Sequence, residues 1–240
     1  IQVSILKDIA TLTIDTSGTA LHKRGYREKN VVAPIKETLA AAMILISYWN
    51  KEKALLDCFC GSGTIPIEAA LIGKNIAPGL NRSFASEEWP VIAKEIWKQE
   101  RVKALQAIDQ DIKLKIYASD ISHDAVDLAR ENAFNAGVDD CIEFSVCDFK
   151  DVRIDDEYGV IICNPPYGER LGEQKEIALL NKEIGRVFSK FETWSKYIIT
   201  SSEEFEKHYG KKADKKRKLY NGNIKVDYYQ YFGPKPKQTI

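Results

Sequence analysis

A short apolar run that ends in an acid and a glycine-rich turn is the first place where this sequence could do chemistry. Residues 54–56 are typical of a buried strand, and residues 57–64 have the sequence DCFCGSGT. Residues 65–72 predict a helix with Pro66 in its first turn, where a missing N–H costs little. Strand, turn and helix together predict half of a nucleotide-binding βαβ unit, whose helix N-terminus offers free N–H groups to a ligand.

The kind of ligand follows from what this turn lacks. No lysine follows the glycines, as it would in a loop that binds phosphate, and the third glycine of a dinucleotide fingerprint is absent. We therefore expect a nucleoside-like cofactor without a pyrophosphate, which points to S-adenosylmethionine (SAM).

A second polar stretch follows the predicted strand 158–163, and its residues are Asn164, Pro165, Pro166 and Tyr167. The prolines stiffen the loop and lack N–H groups, which leaves the carbonyls of Asn164 and Pro165 free to accept hydrogen bonds. An amide oxygen beside a fixed carbonyl suits an –NH2 group, and Tyr167 offers a flat face for stacking on a base. We predict that these four residues are the catalytic ones. They would position an amine that attacks first and loses its proton afterwards, without a strong general base.

Acids follow two other predicted strands. Asp120 comes after the strand 116–119, and Asp148 follows the strand 141–146. Ligands of open α/β sheets bind beyond the carboxyl ends of the strands, where an acid can accept hydrogen bonds from both ribose hydroxyls. One acid alone would say little, since acids are common in loops. Three acids and one asparagine after four successive strands predict a binding edge.

Composition limits the class of protein. With 240 residues, 44% of them hydrophobic and 29% charged, the chain fits one large domain or one domain with a small appendage. No apolar run approaches the roughly 18 to 20 residues that span a bilayer, and there is no signal peptide, so we expect a cytoplasmic protein without a membrane partner. The five scattered cysteines predict reduced, buried thiols and no metal site.

A net charge of zero argues against a chain that binds nucleic acid through its overall field. A catalytic module that relies on another domain for affinity stays compatible with this charge. The chain starts at Ile1 and its one methionine is Met43, so we expect that it lacks its natural N-terminus.

The remaining pattern alternates strands and helices, which predicts an α/β fold. A hairpin is expected in residues 1–16, a basic loop in 21–27, and a helix from near Pro34 to before Asn50. An insertion between the first two sheet strands carries Trp89 and Trp97, which we expect to anchor in the core. We expect the charged run 211–218 to form a solvated loop before two terminal strands, 218–221 and 225–232.

Longer strings in the sequence resemble a known family. HKRGYR, APIKETLAAA, CGSGTIPIEAA, IAPGLNR, NPPYGERLG and YYQY are similar to the RNA guanine methyltransferases with an N-terminal THUMP domain, the RlmL-like (UPF0020) family. The resemblance covers nearly the whole chain and implies the Rossmann-like class I methyltransferase fold. That fold has a mostly parallel seven-stranded sheet, an antiparallel terminal strand and helices on both faces.

The same resemblance implies a reaction and a domain organisation. The reaction is methyl transfer from SAM to the exocyclic 2-amino group of a guanine in structured RNA, with ribosomal RNA the first expectation and tRNA the second. Residues 1–30 would be a hairpin and basic linker from a missing upstream THUMP and ferredoxin-like region that supplies affinity for RNA. Residues 31–240 would form the SAM-dependent methyltransferase domain.

Roles for individual residues are also implied by this resemblance. Asp120 would bind the ribose, and Asp148 the adenine amino group. The expected cofactor-binding residues are Asp57, Cys58, Phe59, Cys60, Gly61, Ser62, Gly63, Thr64, Asp120, Ile121, Asp148, Phe149, Asn164 and Thr38. The expected contacts to substrate RNA are Lys23, Arg24, Arg27 and Arg170. Cys58 stands where the family usually has proline, which we expect to loosen the turn slightly without abolishing binding.

Two alternatives stay open at this point. The Asn-Pro-Pro-Tyr stretch also suits adenine and glutamine amines, so a DNA or protein amine methyltransferase would use the same four residues. A SAM-binding module without catalysis is the other alternative, which the intact stretch argues against.

Overall fold

Residues 1–27, 35–167 and 173–235 are described in the computed structural model of the chain. The strands are β1 (Gln2–Leu6), β2 (Ile9–Thr13), β3 (Ala54–Asp57), β4 (Ile116–Asp120), β5 (Ile142–Val146), β6 (Gly159–Cys163), β7 (Ser195–Thr200), β8 (Lys215–Asn221) and β9 (Ile224–Tyr231). The helices are α1 (Glu37–Leu45), α2 (Thr64–Gly73), α3 (Lys94–Gln106), α4 (His123–Ala136), α5 (Glu173–Phe188) and α6 (Phe205–Tyr209). Pro34, where the first helix was expected to begin, lies outside the described residues.

Seven of these strands form one sheet in the order β5-β4-β3-β6-β7-β9-β8. The pairs from β5 to β7 are parallel, whereas β9 runs antiparallel to both of its neighbours. Every residue of β3 and β6 is buried, because central strands of a parallel sheet are covered on both faces. The predicted mostly parallel sheet with an antiparallel strand near its end is confirmed.

Two apolar layers cover the sheet, and alternate strand residues point into them. Leu55 of β3 packs in a cluster with residues of α1, α2 and α4, whereas its neighbour Leu56 packs in a second cluster with residues of α5 and α6. The prediction of helices on both faces is therefore confirmed. Among the described residues, no helix is long and apolar enough to cross a membrane.

The predicted hairpin is present as a separate two-stranded sheet formed by β1 and β2. Lys7 and Asp8 form its turn with φ angles of 50° and 60°, as the tight turns that suit twisted hairpins require. Val3 pairs with Leu12 on a face of the ribbon that is exposed to solvent. The segment after the hairpin is attached to the insertion, since Ser86 N donates to Thr16 O at 3.1 Å and the Arg82 guanidinium donates to Ser17 O and Ala20 O.

The insertion packs partly on itself and partly on the segment after the hairpin. Helix α3 has no buried residue, and Trp97 is half-buried in a stack on Phe84 with ring centroids 5.6 Å apart. Trp89 is also half-buried. The prediction that both tryptophans anchor in the core is wrong, because neither indole belongs to the two clusters that cover the sheet.

The expectation of a loop over the charged run is also wrong in part. Residues 215–218 belong to β8, the outer strand that supplies hydrogen-bond partners to β9. Most side chains of β8 are exposed, so its sequence lacks the alternation that marks a half-buried strand. Lysines suit such an edge, because their charge discourages pairing with another chain.

Packing at the start of β6 fixes the strand that leads to Asn164. A Cβ atom on Gly159 would lie 2.6 Å from three ring atoms of the buried Trp194. We expect Gly159→Ala to lower the free energy of unfolding by about 1–3 kcal/mol, because the indole has no room to move away. Urea unfolding checks this. In a Trp194→Leu background the same substitution should cost much less, and an equal cost would contradict the steric explanation.

Candidate active site

The glycine turn between β3 and α2 is held by backbone hydrogen bonds. Cys60 N donates to Ser119 O at 3.0 Å, and Gly63 N donates to Cys60 O at 2.8 Å. Gly61 and Gly63 have φ angles of 51° and 82°, which L side chains rarely adopt. A Cβ on Gly63 would lie 3.0 Å from the Cβ of Ala129 in α4, whereas a Cβ on Gly61 would meet no atom within 4 Å. The open side of Gly61 is where a ligand can approach the backbone.

Most side chains of this turn face the protein and not the open side. Cys58, Cys60, Ser62 and Thr64 are buried, and Phe59 is half-buried. The Asn132 side chain donates to Ser62 O at 2.9 Å and fixes the turn against α4. The turn therefore offers backbone groups to a ligand. We therefore expect residues 57–64 to contact a ligand through their backbone more than through their side chains.

Asp57 closes β3 with a carboxyl group that is 1% exposed. It accepts a hydrogen bond from Phe59 N at 3.1 Å. Burial, together with the nearby Asp120 charge, raises the pKa of this carboxyl from 3.8 to about 8. Asp57 thus orders the start of the turn while its ionised form is disfavoured.

Asp120 ends β4, next to the glycine turn. Its Oδ2 accepts from Gly61 N and its Oδ1 from Ser122 N, both at 3.0 Å. Each carboxylate oxygen can accept a further hydrogen bond, so the pair can still bind two hydroxyl groups. The following side chain, Ile121, is 72% exposed and presents an apolar surface beside the acid.

Asp148 lies close to Asp120, because Cys147 N donates to Asp120 O at 3.0 Å. Its carboxylate is 27% exposed and holds Lys150 through the backbone N and Nζ, at 3.0 and 3.3 Å. Phe149 is buried against Phe59, with ring centroids 4.9 Å apart. Phe149 therefore packs against the Phe59 side chain of the glycine turn, and the Asp148 carboxylate stays partly open to a ligand.

Asn164 follows β6, the strand that pairs with β3 on the side away from β4. Its Oδ1 is buried and, within the described part of the chain, accepts no hydrogen bond. Pro165 is buried, Pro166 is exposed, and Tyr167 is half-buried against the cluster that contains α1. A buried acceptor without a partner is costly, which indicates that a donor from a ligand belongs here.

The sheet therefore gathers the predicted side chains at the carboxyl ends of its strands, which we call the binding edge. Strands β5, β4, β3 and β6 are consecutive neighbours, and their carboxyl ends lead to Asp148, Asp120, Asp57 and Asn164. The acidic and amide side chains expected from the sequence are thus brought together by parallel pairing.

The N-terminal turn of α1 lies near the glycine turn. Arg27 makes this link, since its Nη1 lies 3.3 Å from Glu37 Oε1 in α1 and its Nη2 donates to Thr64 Oγ1 in α2. Thr38 follows Glu37 on the exposed side of α1. Contact between Thr38 and the cofactor stays a prediction.

The basic loop is placed differently from the expectation that its cations face RNA. The Arg24 guanidinium forms two hydrogen bonds to Glu68 of α2, from Nε at 3.3 Å and from Nη2 at 3.2 Å, and it is only 11% exposed. Tyr26 OH donates to the same carboxylate at 3.2 Å. Arg24 and Arg27 are therefore held by carboxylates of the protein itself, because buried acids need counterions. Lys23 is exposed, and Arg170 lies outside the described residues.

Glu37 and Glu68 are the site residues that sequence reasoning missed. Each is a buried acid within an otherwise apolar helical run, ETLAAAMIL and TIPIEAALIG. Burial raises the pKa of Glu68, and the hydrogen bonds from Arg24 and Tyr26 oppose that rise. A single acid in an apolar run was the signal that could have found them.

All five cysteines are free, four of them buried and Cys147 half-buried. Burial raises the pKa of the Cys60 and Cys163 thiols, so both are poor thiolates. Across residues 1–27, 35–167 and 173–235, no group of three or more His, Cys, Asp or Glu side chains could hold a metal ion.

The fold and this edge together define a class I methyltransferase that uses SAM. The open side of Gly61 and the spare lone pairs of Asp120 both fit that cofactor. The chain belongs to the RMKL-like methyltransferase domain family, UPF0020, whose profile matches residues 24–230. The resemblance drawn from the motifs is therefore confirmed.

Similarity to individual proteins agrees with this family. The chain is 52% identical over 242 residues to YpsC of Bacillus subtilis (strain 168), which is named as a candidate RNA methyltransferase. The aligned region covers 100% of this chain and 63% of that protein. It is 39% identical over 235 residues to the ribosomal RNA large subunit methyltransferase K/L of Legionella pneumophila subsp. pneumophila (strain Philadelphia 1), covering 95% of this chain and 33% of that protein.

A solved structure is also similar to this chain. The crystal structure of SMU.472, a candidate methyltransferase in complex with SAH, superposes with a TM-score of 0.92 and 47% identity, covering 98% of this chain and 62% of that one. The chain thus spans about three fifths of YpsC and of SMU.472, and a third of the K/L enzyme.

The carboxyl of Asp57 should make stability depend on pH. Because its folded-state pKa of about 8 lies above the ordinary 3.8, ionisation of Asp57 opposes folding. The contribution of the protonated carboxyl to the free energy of unfolding is therefore greatest below pH 3.8 and is lost as pH rises towards 8. We expect the free energy of unfolding of Asp57→Asn, relative to wild type, to be higher at pH 8 than at pH 5. Urea unfolding without SAM measures this difference, and an identical difference at both pH values would contradict it.

The carboxylate of Asp120 should control cofactor affinity. Asp120→Ala removes the acceptors that we predict for the ribose, together with the hydrogen bond that holds Gly61, so we expect SAM to bind about tenfold more weakly or worse. Calorimetric titration measures this, and circular dichroism checks the fold. Asp124→Ala, at an exposed position in the first turn of α4, is the matched control. Unchanged affinity in Asp120→Ala would overturn the ribose assignment.

Proposed function

We propose that this domain transfers a methyl group from SAM to the exocyclic 2-amino group of a guanine in structured RNA. Ribosomal RNA is the first candidate substrate and tRNA the second. The observation that carries the proposal is the buried Oδ1 of Asn164, which has no hydrogen-bond partner among the described residues and lies one strand away from the glycine turn. An acceptor placed there suits an amine donor, and the names of YpsC and the K/L enzyme support RNA as the molecule that bears it.

The reaction requires positioning more than acid–base chemistry. SAM, when bound, supplies an electrophilic methyl group on a sulfonium. Asn164 Oδ1 and the Pro165 carbonyl would accept hydrogen bonds from the two amine N–H groups and direct the nitrogen lone pair towards the methyl. The methylated nitrogen would lose one proton to solvent after the transfer. Pro165 and Pro166 keep this loop stiff, because proline fixes φ, and Tyr167 would stack on the base. Holding the reactants in a near-attack arrangement then provides most of the rate.

Direct transfer to nitrogen also agrees with the state of the thiols. A mechanism through a cysteine adduct would need a thiolate near Asn164. Cys163 precedes Asn164, but burial raises the pKa of its thiol well above the ordinary value. A buried, protonated thiol is a poor nucleophile. Asn164, and not a cysteine, would therefore be the residue that contacts the acceptor at the binding edge.

The whole protein would contain more than this domain. We propose that residues 1–30 connect a THUMP-type domain to the methyltransferase domain, residues 31–240, in a cytoplasmic protein. The longer relatives and the zero net charge support this division, since affinity for RNA then comes from the second domain. Within the basic loop, residues 21–27, Lys23 is the exposed cation that could contact RNA. For Arg170 we keep the proposal that it contacts RNA.

Asn164→Ala should abolish methyl transfer and leave SAM binding within about threefold of wild type, because the amide contacts the acceptor more than the donor. Asn164→Asp is the matched variant, since it keeps the shape and changes the charge. Transfer of a tritiated methyl group to RNA from cells lacking the gene measures the activity. Retained turnover in Asn164→Ala would remove the residue from the catalytic set.

The identity of the product decides among the amine acceptors. Mass spectrometry of RNA nucleosides should show a loss of 2-methylguanosine in cells lacking the gene, restored by the wild-type gene and not by Asn164→Ala. Loss of a methylated base from DNA, or of methylglutamine from protein, would contradict the proposal in favour of the corresponding alternative. No lost modification, together with intact SAM binding, would favour a module without catalysis.

A further inference from the structure

A two-stranded ribbon projects past the sheet at the end where Asn164 lies. Strand β7 is parallel to β6 and antiparallel to β9, so the β8–β9 turn at Gly222 lies at the same end of the sheet as Asn164. The pairing of β7 with β9 ends at Thr200 and Asp227, whereas β8 and β9 stay paired for three further residues each. At about 3.4 Å per residue, the ribbon, residues 218–227, therefore extends roughly 10 Å past the end of β7.

One face of this ribbon is fixed to the domain. Leu219 and Ile224 pack against the apolar cluster that contains α1, as does Tyr167 of the predicted acceptor site. Asn221 Oδ1 accepts a hydrogen bond from Lys36 N at 3.4 Å, just before α1 begins. The ribbon is therefore held against the same cluster as the acceptor site, and it offers a preformed surface.

The opposite face of the ribbon is polar and open. Lys218, Tyr220 and Lys225 share it, because alternate residues of a strand and directly paired residues of two strands lie on one face. All three are exposed, Tyr220 by 60%. The acid on this face, Asp227, is already paired, since Lys216 Nζ lies 3.6 Å from its Oδ2. Neither Lys218 nor Lys225 forms an ion pair with any residue that the structure describes, so two free positive charges flank an open aromatic ring.

This combination fits a single-stranded stretch of RNA. Cations bind phosphates whatever the sequence, and an exposed aromatic ring provides a stacking surface for any base. Protection of the strand edge accounts for lysines along β8, but it gives no use to the open ring between the two charges. Charge and ring together therefore favour a nucleic acid as the occupant of this face.

The distance to the acceptor site suits the same occupant. Strand β8 is three strands away from β6 in the sheet, a separation of about 14 Å. About four stacked nucleotides cover that distance, at roughly 3.4 Å each. An RNA strand whose target base lies at Asn164 would thus reach Tyr220 with nucleotides close to the target.

We propose that the outer face of the ribbon, formed by Lys218, Tyr220 and Lys225, binds nucleotides that flank the target guanine. Lys218 and Lys225 contact two phosphates, and Tyr220 stacks on an unpaired base. This inference rests on the proposed RNA substrate, and it names a surface of the domain itself that positions the strand. A net charge of zero is compatible with this role, because two local cations align a strand without providing high affinity.

Substitutions that remove the charges or the ring test the proposal. Fluorescence anisotropy of a labelled single-stranded RNA of about 12 nucleotides, with one guanine, measures binding to the 240-residue chain at several salt concentrations. We expect Lys218→Gln/Lys225→Gln to reduce the slope of log K against log[salt] by about 1.4, since each phosphate contact to a single strand contributes about 0.7. Tyr220→Ala should weaken binding by roughly 5- to 150-fold with an unchanged slope, and Tyr220→Phe should retain it.

Lys212→Gln/Lys215→Gln is the matched control, because it removes the same charge at the other end of β8. It should leave RNA affinity within about threefold of wild type, since screened charges act over a short range. Equal losses in the two double variants, or wild-type affinity in Tyr220→Ala, would overturn the proposal and leave the ribbon to another protein or to solvent. SAM affinity should be unchanged in every variant. A parallel loss of SAM and RNA affinity would also overturn it, since the substitution would then act through the fold.

Methyl transfer to RNA from cells lacking the gene separates this surface from the proposed function. Wild-type transfer, together with full RNA affinity in the ribbon variants, would overturn this surface alone. Absence of transfer by the wild-type protein would contradict the RNA substrate, and the inference that rests on it. The first failure appears only in the variants, and the second already in the wild type.

Discussion

The hydrogen bond from Gly61 N to the Asp120 carboxylate joins the two halves of the binding edge. It requires the left-handed backbone at Gly61, which turns the N–H towards β4, and it is reinforced by the bond from Cys60 N to Ser119 O. Asp120 therefore has two duties, since the acid that would bind the ribose also fixes the turn beneath the rest of the cofactor. Turn and acid cannot shift independently, so the ligand meets a preorganised surface.

Buried acids organise the other side of the site. Glu68 and Glu37 lie in helices that are otherwise apolar, and each attracts an arginine from the basic loop. An unpaired carboxylate in such surroundings would be strongly destabilising, so the loop is required for the helices to pack as they do. Much of the basic character of residues 21–27 is consequently internal to the domain, and its exposed remainder is small.

Much of this arrangement could be predicted from the sequence because it is local. Asp57, Asp120 and Asn164 each follow directly on an apolar strand, and parallel strands place their ends together. The partners of Arg24 and Arg27 could not be predicted in this way. Glu68 lies 44 residues from Arg24, and a basic loop has the same appearance whether its charges face solvent or a buried acid. The first part of β8, residues 215–217, was not predicted for a related reason, since a strand exposed on both faces shows no alternation.

The attachment of residues 16–27, which follow the hairpin, also has a mechanical consequence. Thr16 and Ser17 are fastened to the insertion by Ser86 and Arg82, and Arg24 and Arg27 fasten the same segment to α2 and α1. A connector fixed at several points behaves as a strut, whereas a free chain of that length would behave as a flexible tether. Residues 16–27 therefore join the base of the hairpin to the helices beside the glycine turn at several points.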